Sequence, residues 1–175
     1  MRRIRYGVGM SLDSYIADSD DETNWMIGDP GYDNKPFFAS IDAVLMGRRT
    51  YEVMLRQGAR SYPGLRTYVF SRTLLARDYP EVSVVADDGL ALVGALRAEA
   101  GKDIWLCGGG ELFRSLLSAD LVDTVELGVS PILLGQGLPF LPPIDRRVRL
   151  ALTHHEAFPS GLLVLHYAIQ RAAAR

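Results

Sequence analysis

Between Ala43 and Leu117 the apolar pattern switches repeatedly between period two and period 3.6, and this alternation restricts the fold more than any other feature. Ala43-Val44-Leu45-Met46, Thr67-Tyr68-Val69-Phe70, Val82-Ser83-Val84-Val85 and Ile104-Trp105-Leu106-Cys107 read as short buried strands. Between them, Arg49 to Leu55 reads as a helix closed by Gly58. Asp87 or Asp88 can cap a second helix through Leu90, Leu92, Val93 and Leu96 towards Ala100, with Gly101 as its stop. Gly108-Gly109-Gly110 opens a third helix, with Leu112, Phe113, Leu116 and Leu117 on one face. Strands that alternate with helices require right-handed crossovers and so a largely parallel sheet.

The flanks complete the pattern. Residues 3–10 read as a first strand, 18–34 as a polar loop and 35–40 as a short helix. Residues 122–134 are extended and broken by Pro131. Two final strands, 148–157 and 162–170, joined by Pro159-Ser160-Gly161, make a hairpin that adds antiparallel strands. No repeat or linker divides the chain, so residues 1–175 read as one α/β domain.

Composition matters mainly for what it excludes. A net charge of −2 with interspersed signs provides no concentrated basic face, so neither nucleic acid nor a membrane surface is expected as partner. No run approaches the roughly 20 apolar residues of a membrane span. The basic start Met1-Arg2-Arg3-Ile4-Arg5 leads into a stretch too interrupted to be a signal peptide, so a cytoplasmic location is expected. The one cysteine, Cys107, lacks an adjacent His or Lys and reads as a buried apolar residue. Asp20-Asp21-Glu22 reads as a solvated loop tip without the spacing of a calcium loop.

Three turns, each directly after a strand, carry the chemistry, because ligands of open α/β sheets bind beyond the carboxyl ends of strands. Met46-Gly47-Arg48-Arg49-Thr50 combines a glycine, a helix N-terminus and cationic donors suited to an anion. Ser71-Arg72-Thr73 places two hydroxyls around a guanidinium, which suits a phosphate monoester such as the 2′-phosphate of NADPH. Gly108-Gly109-Gly110-Glu111-Leu112 permits close backbone approach to a ligand at a helix N-terminus. It is neither Gly-x-Gly-x-x-Gly nor a Walker loop, since Phe113 replaces the last glycine and no Gly-Lys-Ser/Thr follows.

In order, Ser11 to Ala17, Gly47-Arg48-Arg49-Thr50-Tyr51-Glu52, Val69 to Thr73, Ile104 to Leu112 and Pro131-Ile132-Leu133-Leu134-Gly135-Gln136-Gly137 resemble the dihydrofolate reductase superfamily. The nearer likeness is to the branch resembling the C-terminal reductase domain of the riboflavin-biosynthesis protein RibD, over almost the whole chain. The resemblance implies a three-layer α-β-α fold with a mostly parallel, mixed sheet and a C-terminal antiparallel hairpin, and an NADPH-dependent oxidoreductase. It implies that Ile16 and Ala17 lie against the nicotinamide and that Gly47, Arg48, Arg49 and Thr50 hold the pyrophosphate. Ser71, Arg72 and Thr73 would take the adenosine ribose and its 2′-phosphate. Gly108, Gly109, Gly110, Glu111 and Leu112 would pass beneath the cofactor near its nicotinamide end.

On the substrate side the resemblance is thinner. By the family's spacing, Asp33 four residues before Phe37 could be the catalytic carboxylate, although Gly-Tyr-Asp-Asn-Lys-Pro reads as a loop and Pro36 suits only a first helical turn. Trp25, Phe37 and Asp13 are the further substrate-side candidates, with Ser14 where this branch usually has a glycine. The zinc signature of the RibD deaminase half is absent, and no metal is expected; His154, His155 and His166 fall on the final strands. The resemblance implies hydride transfer to a small heterocyclic or imine-like substrate, similar to reduction of 5-amino-6-(5-phosphoribosylamino)uracil. Pterin or folate reduction, a non-catalytic NADPH-binding protein and an unrelated nucleotide-binding protein are the rival readings. It also implies a homodimer, with residues 122–134 and the apolar tail of the sheet as contact regions.

Overall fold

A computed structural model describes residues 1–171; residues 172–175 of the span read as one domain lie outside the described residues. In chain order the elements are β1 (Ile4–Ser11), β2 (Tyr15–Ala17), α1 (Lys35–Ala39), β3 (Ile41–Gly47), α2 (Arg48–Arg56), β4 (Arg66–Phe70) and β5 (Ser83–Val85). They continue with α3 (Gly89–Ala98), β6 (Asp103–Gly108), α4 (Gly110–Ser118), β7 (Thr124–Ser130), β8 (Leu138–Pro139), β9 (Arg149–Ala157) and β10 (Leu163–Gln170). Eight strands form one sheet in the order β5-β4-β3-β6-β1-β7-β10-β9, and β2 pairs with β8 in a separate ribbon. Neighbours from β5 to β7 are parallel, whereas β10 runs antiparallel to both β7 and β9. This is the mixed, mostly parallel α/β sheet expected from the alternating pattern.

Strand alternation divides the core into two faces and so produces the three layers. On β3, Ala43 and Leu45 pack with Val93 and Leu96 of α3 and with Phe113, Leu116 and Leu117 of α4. The intervening Val44 and Met46 point the other way, to Tyr51 and Met54 of α2. All eight of the residues Ala43–Met46, Val93, Leu116, Tyr51 and Leu106 are essentially inaccessible, so β3 is covered on both sides and needs apolar residues at successive positions. Gly58, at φ +83°, follows the end of α2 as the expected stop.

Two boundaries differ from the sequence reading. Helix α3 ends at Ala98 rather than near Ala100, because Glu99 is extended and its carboxylate pairs with Arg66 at 2.9 Å. Gly101 instead permits close approach: a Cβ there would lie 2.7 Å from the Asp42 carboxylate. Asp88 does stand at the N-cap of α3, but in the left-handed region and without a side-chain hydrogen bond. The extended stretch 122–134 contributes only Thr124–Ser130 to the sheet. Lying between β1 and β10, that strand has both edges paired, and among the described residues the outer strands of the sheet are β5 and β9.

Candidate active site

The carboxyl ends of β3, β4 and β6 open into one cleft of about 1770 Å³, and all three anion-suited turns line it. Met46 is in register with Gly108, which brings the first and third turns side by side. A Cβ built on Gly47 would lie 3.7 Å from the Gly109 nitrogen, and one on Gly108 would lie 3.3 Å from Thr50 Oγ1. Both α2 and α4 begin at a glycine N-cap, Gly47 and Gly109, and neither has a side-chain cap. Their N-cap side chains therefore accept none of the first-turn N–H groups, and the helix dipoles favour an anion there.

The turns differ in how much of their side-chain chemistry is free. Arg48 pairs with Glu52 at 2.7 Å and Arg49 with Asp21 at 3.3 Å. The buried Ser71 Oγ accepts the N–H groups of Thr73 and Leu74, so it shapes its own turn. Arg72 and Thr73 stand exposed at the tip of that turn, against the cleft. Glu111 and Leu112 line the third turn, with the Glu111 carboxylate held by Arg114 at 2.6 Å. Burial pushes the Cys107 thiol up to about 12, which agrees with an inert residue in the wall of the cleft.

Ile16 and Ala17 line the cleft from β2. The ribbon pairs Ala17 with Leu138 of β8, and Gly137 crosses directly over the Ala17 carbonyl. The substrate-side residues are placed less as the sequence reading expected. Asp13 does not line the cleft: its carboxylate accepts Ser11 Oγ and the N–H groups of Leu134 and Gly135, and these bonds hold it below the usual carboxylate range. It joins the β1–β2 turn to the 131–137 turn. Asp13→Ala should therefore speed amide exchange at Leu134 and Gly135 selectively, and hydrogen-exchange mass spectrometry or NMR would detect it; unchanged protection there would exclude this clasp.

Trp25 likewise does not line the cleft. Its indole N–H donates to the Glu22 carbonyl at 3.0 Å, and Met26 and Ile27 face inward instead. Met26 covers Gly9 so closely that a Cβ there would meet its sulfur at 2.7 Å. Asp33 reaches the rim of the cleft but is exposed, and its carboxylate accepts the Lys35 N–H at 3.0 Å. It precedes α1 instead of standing on it, because Pro36 restricts the helix to start around it. Phe37 does line the cleft, edge-on to Trp105 at 5.6 Å between ring centroids.

Beyond these residues the floor of the cleft carries a polar group that sequence reasoning missed. The Arg5 guanidinium of β1 binds both carboxylate oxygens of Glu126 of β7, each at 2.7 Å, and Thr124 Oγ1 donates to Oε1 at 2.9 Å. Arg5 also lies 4.7 Å over the Phe37 ring and donates to Ser40 Oγ at 2.5 Å. Burial alone would raise the Glu126 carboxyl, but the Arg5 hydrogen bonds and charge outweigh it and hold the group below its ordinary range. Trp105 extends the same wall by donating its indole N–H to the Gly7 carbonyl at 2.8 Å. A charged residue inside Thr-Val-Glu-Leu-Gly-Val-Ser was the available signal, because a strand interior retains a carboxylate only when a partner compensates it.

A family model described as the RibD C-terminal domain matches residues 2–164. The uncharacterized protein YwjB of Bacillus subtilis is 30% identical over 166 residues, covering 91% of this chain and 94% of that one. A crystal structure of a putative riboflavin biosynthesis protein from Shewanella sp. PV-4 superposes with a TM-score of 0.81 at 25% identity, over 98% of this chain and all of that one (100%). Dihydrofolate reductase from Enterococcus faecalis, complexed with NADP(H) and RAB-propyl, has the same fold, with a TM-score of 0.69, 18% identity and 97% coverage of each chain.

Proposed function

The chain belongs to the RibD C-terminal domain family, and from that premise we propose that it is an NADPH-dependent reductase of a small heterocyclic or imine-like substrate. The observation that carries this reading is the convergence of three anion-suited turns, two of them uncapped helix N-termini, on one cleft. Such a cleft fits a dinucleotide with a pyrophosphate and one further phosphate. Gly47 to Thr50 would hold the pyrophosphate, and Ser71 to Thr73 the adenosine ribose with its 2′-phosphate. Ile16, Ala17 and Gly108 to Leu112 would line the nicotinamide end. The cofactor supplies hydride when bound, and the chain's residues bind, orient and exclude water around it.

The substrate would then occupy the end of the cleft bounded by Gly7, Met26, Phe37, Trp105 and Glu126. A carbon–nitrogen double bond in a small ring, as in the ribosylaminopyrimidine named above, suits this mixed aromatic and polar surface. Pterin reduction supported by a helix-borne carboxylate is less well served, since Asp33 is exposed and engaged with its own turn. Calorimetric titration with NADPH, NADH and NADP⁺ tests the proposal. Binding of NADPH at a Kd of about 1 µM, corresponding to about −8 kcal/mol, with clear preference over NADH is the expected result. Absence of binding by all three would sink the reductase reading.

A further inference from the structure

The cleft floor is a transverse row of the sheet. Gly7 of β1 is in register with Glu126 of β7, Glu126 with His166 of β10, and His166 with His154 of β9. All four line the cleft, so directly paired residues present their side chains to it from adjacent strands. Gly7 contributes no side chain, and its position is occupied by the edges of Trp105 and Phe37, 3.2 and 3.3 Å from where a Cβ would stand. The next row on the same face is Gly9, Gly128, Val164 and Glu156. His166 is thus the half-buried, titratable side chain between the fixed Arg5–Glu126 pair and the exposed His154 and Glu156.

We propose that His166 is the catalytic acid that protonates the substrate as it is reduced, with Glu126 and Arg5 as positioning residues. This inference rests on the reductase reading above. For a carbon–nitrogen double bond, the carbon takes a hydride from a dihydronicotinamide, which becomes the oxidised nicotinamide. The π electrons pass to nitrogen, and the N–H bond forms as the His166 imidazolium loses its proton. Solvent returns that proton past His154, whose ring centroid is 5.1 Å from that of His166, and past Glu156.

Why the acid is His166 and not one of its neighbours follows from their partners. The Glu126 carboxylate is engaged on both oxygens by a guanidinium, so it is poorly placed to carry a proton. Arg5 does not release one. His154 is exposed beside Glu156, and Asp33 lies at the rim. The charged groups that act on His166 are Glu126, His154 and Arg5, and Glu156, Tyr32 and Asp33 line the same cleft. Burial lowers the His166 pKa from 6.5, and His154 and Arg5 add to this, while Glu126 opposes it. The imidazolium is thus a stronger proton donor than an ordinary histidine's, and it is populated on the acid side of the ordinary midpoint of 6.5.

The test combines turnover with a readout that needs no substrate. With 7,8-dihydrofolate and 1-pyrroline as probes, kcat/KM should fall tenfold per pH unit above the His166 midpoint. His166→Asn and His166→Gln should lose about 100-fold in kcat/KM at pH 6 and abolish that limb. An unchanged limb in both overturns the assignment. In parallel, NMR titration of the imidazole Cε1–H signals is made in the NADPH-saturated protein. Glu126→Gln should move the His166 midpoint down, and His154→Asn should move it up because a like charge is removed. A His166 midpoint that neither substitution moves overturns the proposal even if neither probe is reduced. Calorimetry on the same samples separates the two readings: lost NADPH binding in the unmodified protein defeats the reductase itself, whereas NADPH binding with a failed His166 test defeats only this acid.

Discussion

Gly137→Ala should lower thermal stability and NADPH affinity together, more than any other single methyl addition considered. Gly137 has φ +152°, and a Cβ there would lie 2.2 Å from the Ala17 carbonyl oxygen and 3.2 Å from the Asp18 Cα. Both neighbours are backbone atoms, so no rotamer change relieves the overlap. The β2–β8 ribbon must separate, although Ala17 and Leu138 are in register and Ala17 is buried. Backbone strain and the lost pairing together cost about 4 kcal/mol, at the severe end for one substitution. For a domain of this size that is roughly a 10 °C fall in Tm. Two controls isolate the clash. Gly135→Ala shares a positive φ, +76°, but meets nothing within 4 Å, so only conformational strain of about 1–2 kcal/mol remains. Gly94→Ala, in open space on α3, should stabilise by about 0.5–1 kcal/mol through helix propensity. Melting of all three by circular dichroism decides the matter: if Gly137→Ala melts with Gly135→Ala, the clamp over Ile16–Ala17 does not exist.

Arg72→Glu should weaken NADPH binding by about 100-fold while leaving NADH within about threefold. The turn brings Arg72 to the cleft exposed, outside the ion pairs that engage Arg48 and Arg49. A charge-assisted contact to a phosphate is worth about 1.5–3 kcal/mol, and the new carboxylate adds repulsion against a phosphate dianion. About 2.7 kcal/mol corresponds to the 100-fold change. NADH lacks the 2′-phosphate and feels neither effect strongly. Comparable losses for both cofactors, measured by calorimetry at one ionic strength, would show that Arg72 does not read that phosphate.

The Gly47, Ser71 and Gly108 turns are contiguous in sequence, and each combines glycine or hydroxyl chemistry with the end of an apolar strand. The Gly47 and Gly108 turns stand at strand-to-helix junctions, where free main-chain N–H groups are a local property. The β3 strand is legible because burial on both faces demands continuous apolar residues such as Val44-Leu45-Met46. By contrast, Trp25 and Asp13 have locally plausible site chemistry, yet their polar atoms are engaged elsewhere, with Glu22 and with Leu134 and Gly135.

By itself the sequence determined the alternating α/β order, the closing hairpin and the three anion-suited turns, because period, chain direction and glycine placement act over a few neighbouring residues. Only the tertiary structure decided the register across β1, β7, β10 and β9, which aligns Gly7, Glu126, His166 and His154 in one row. Arg5 and Glu126 are 121 positions apart, and their pairing at 2.7 Å leaves no periodic trace in either strand. Register between distant strands is set by packing of the whole sheet, and a one-residue slip would turn each of these side chains to the opposite face.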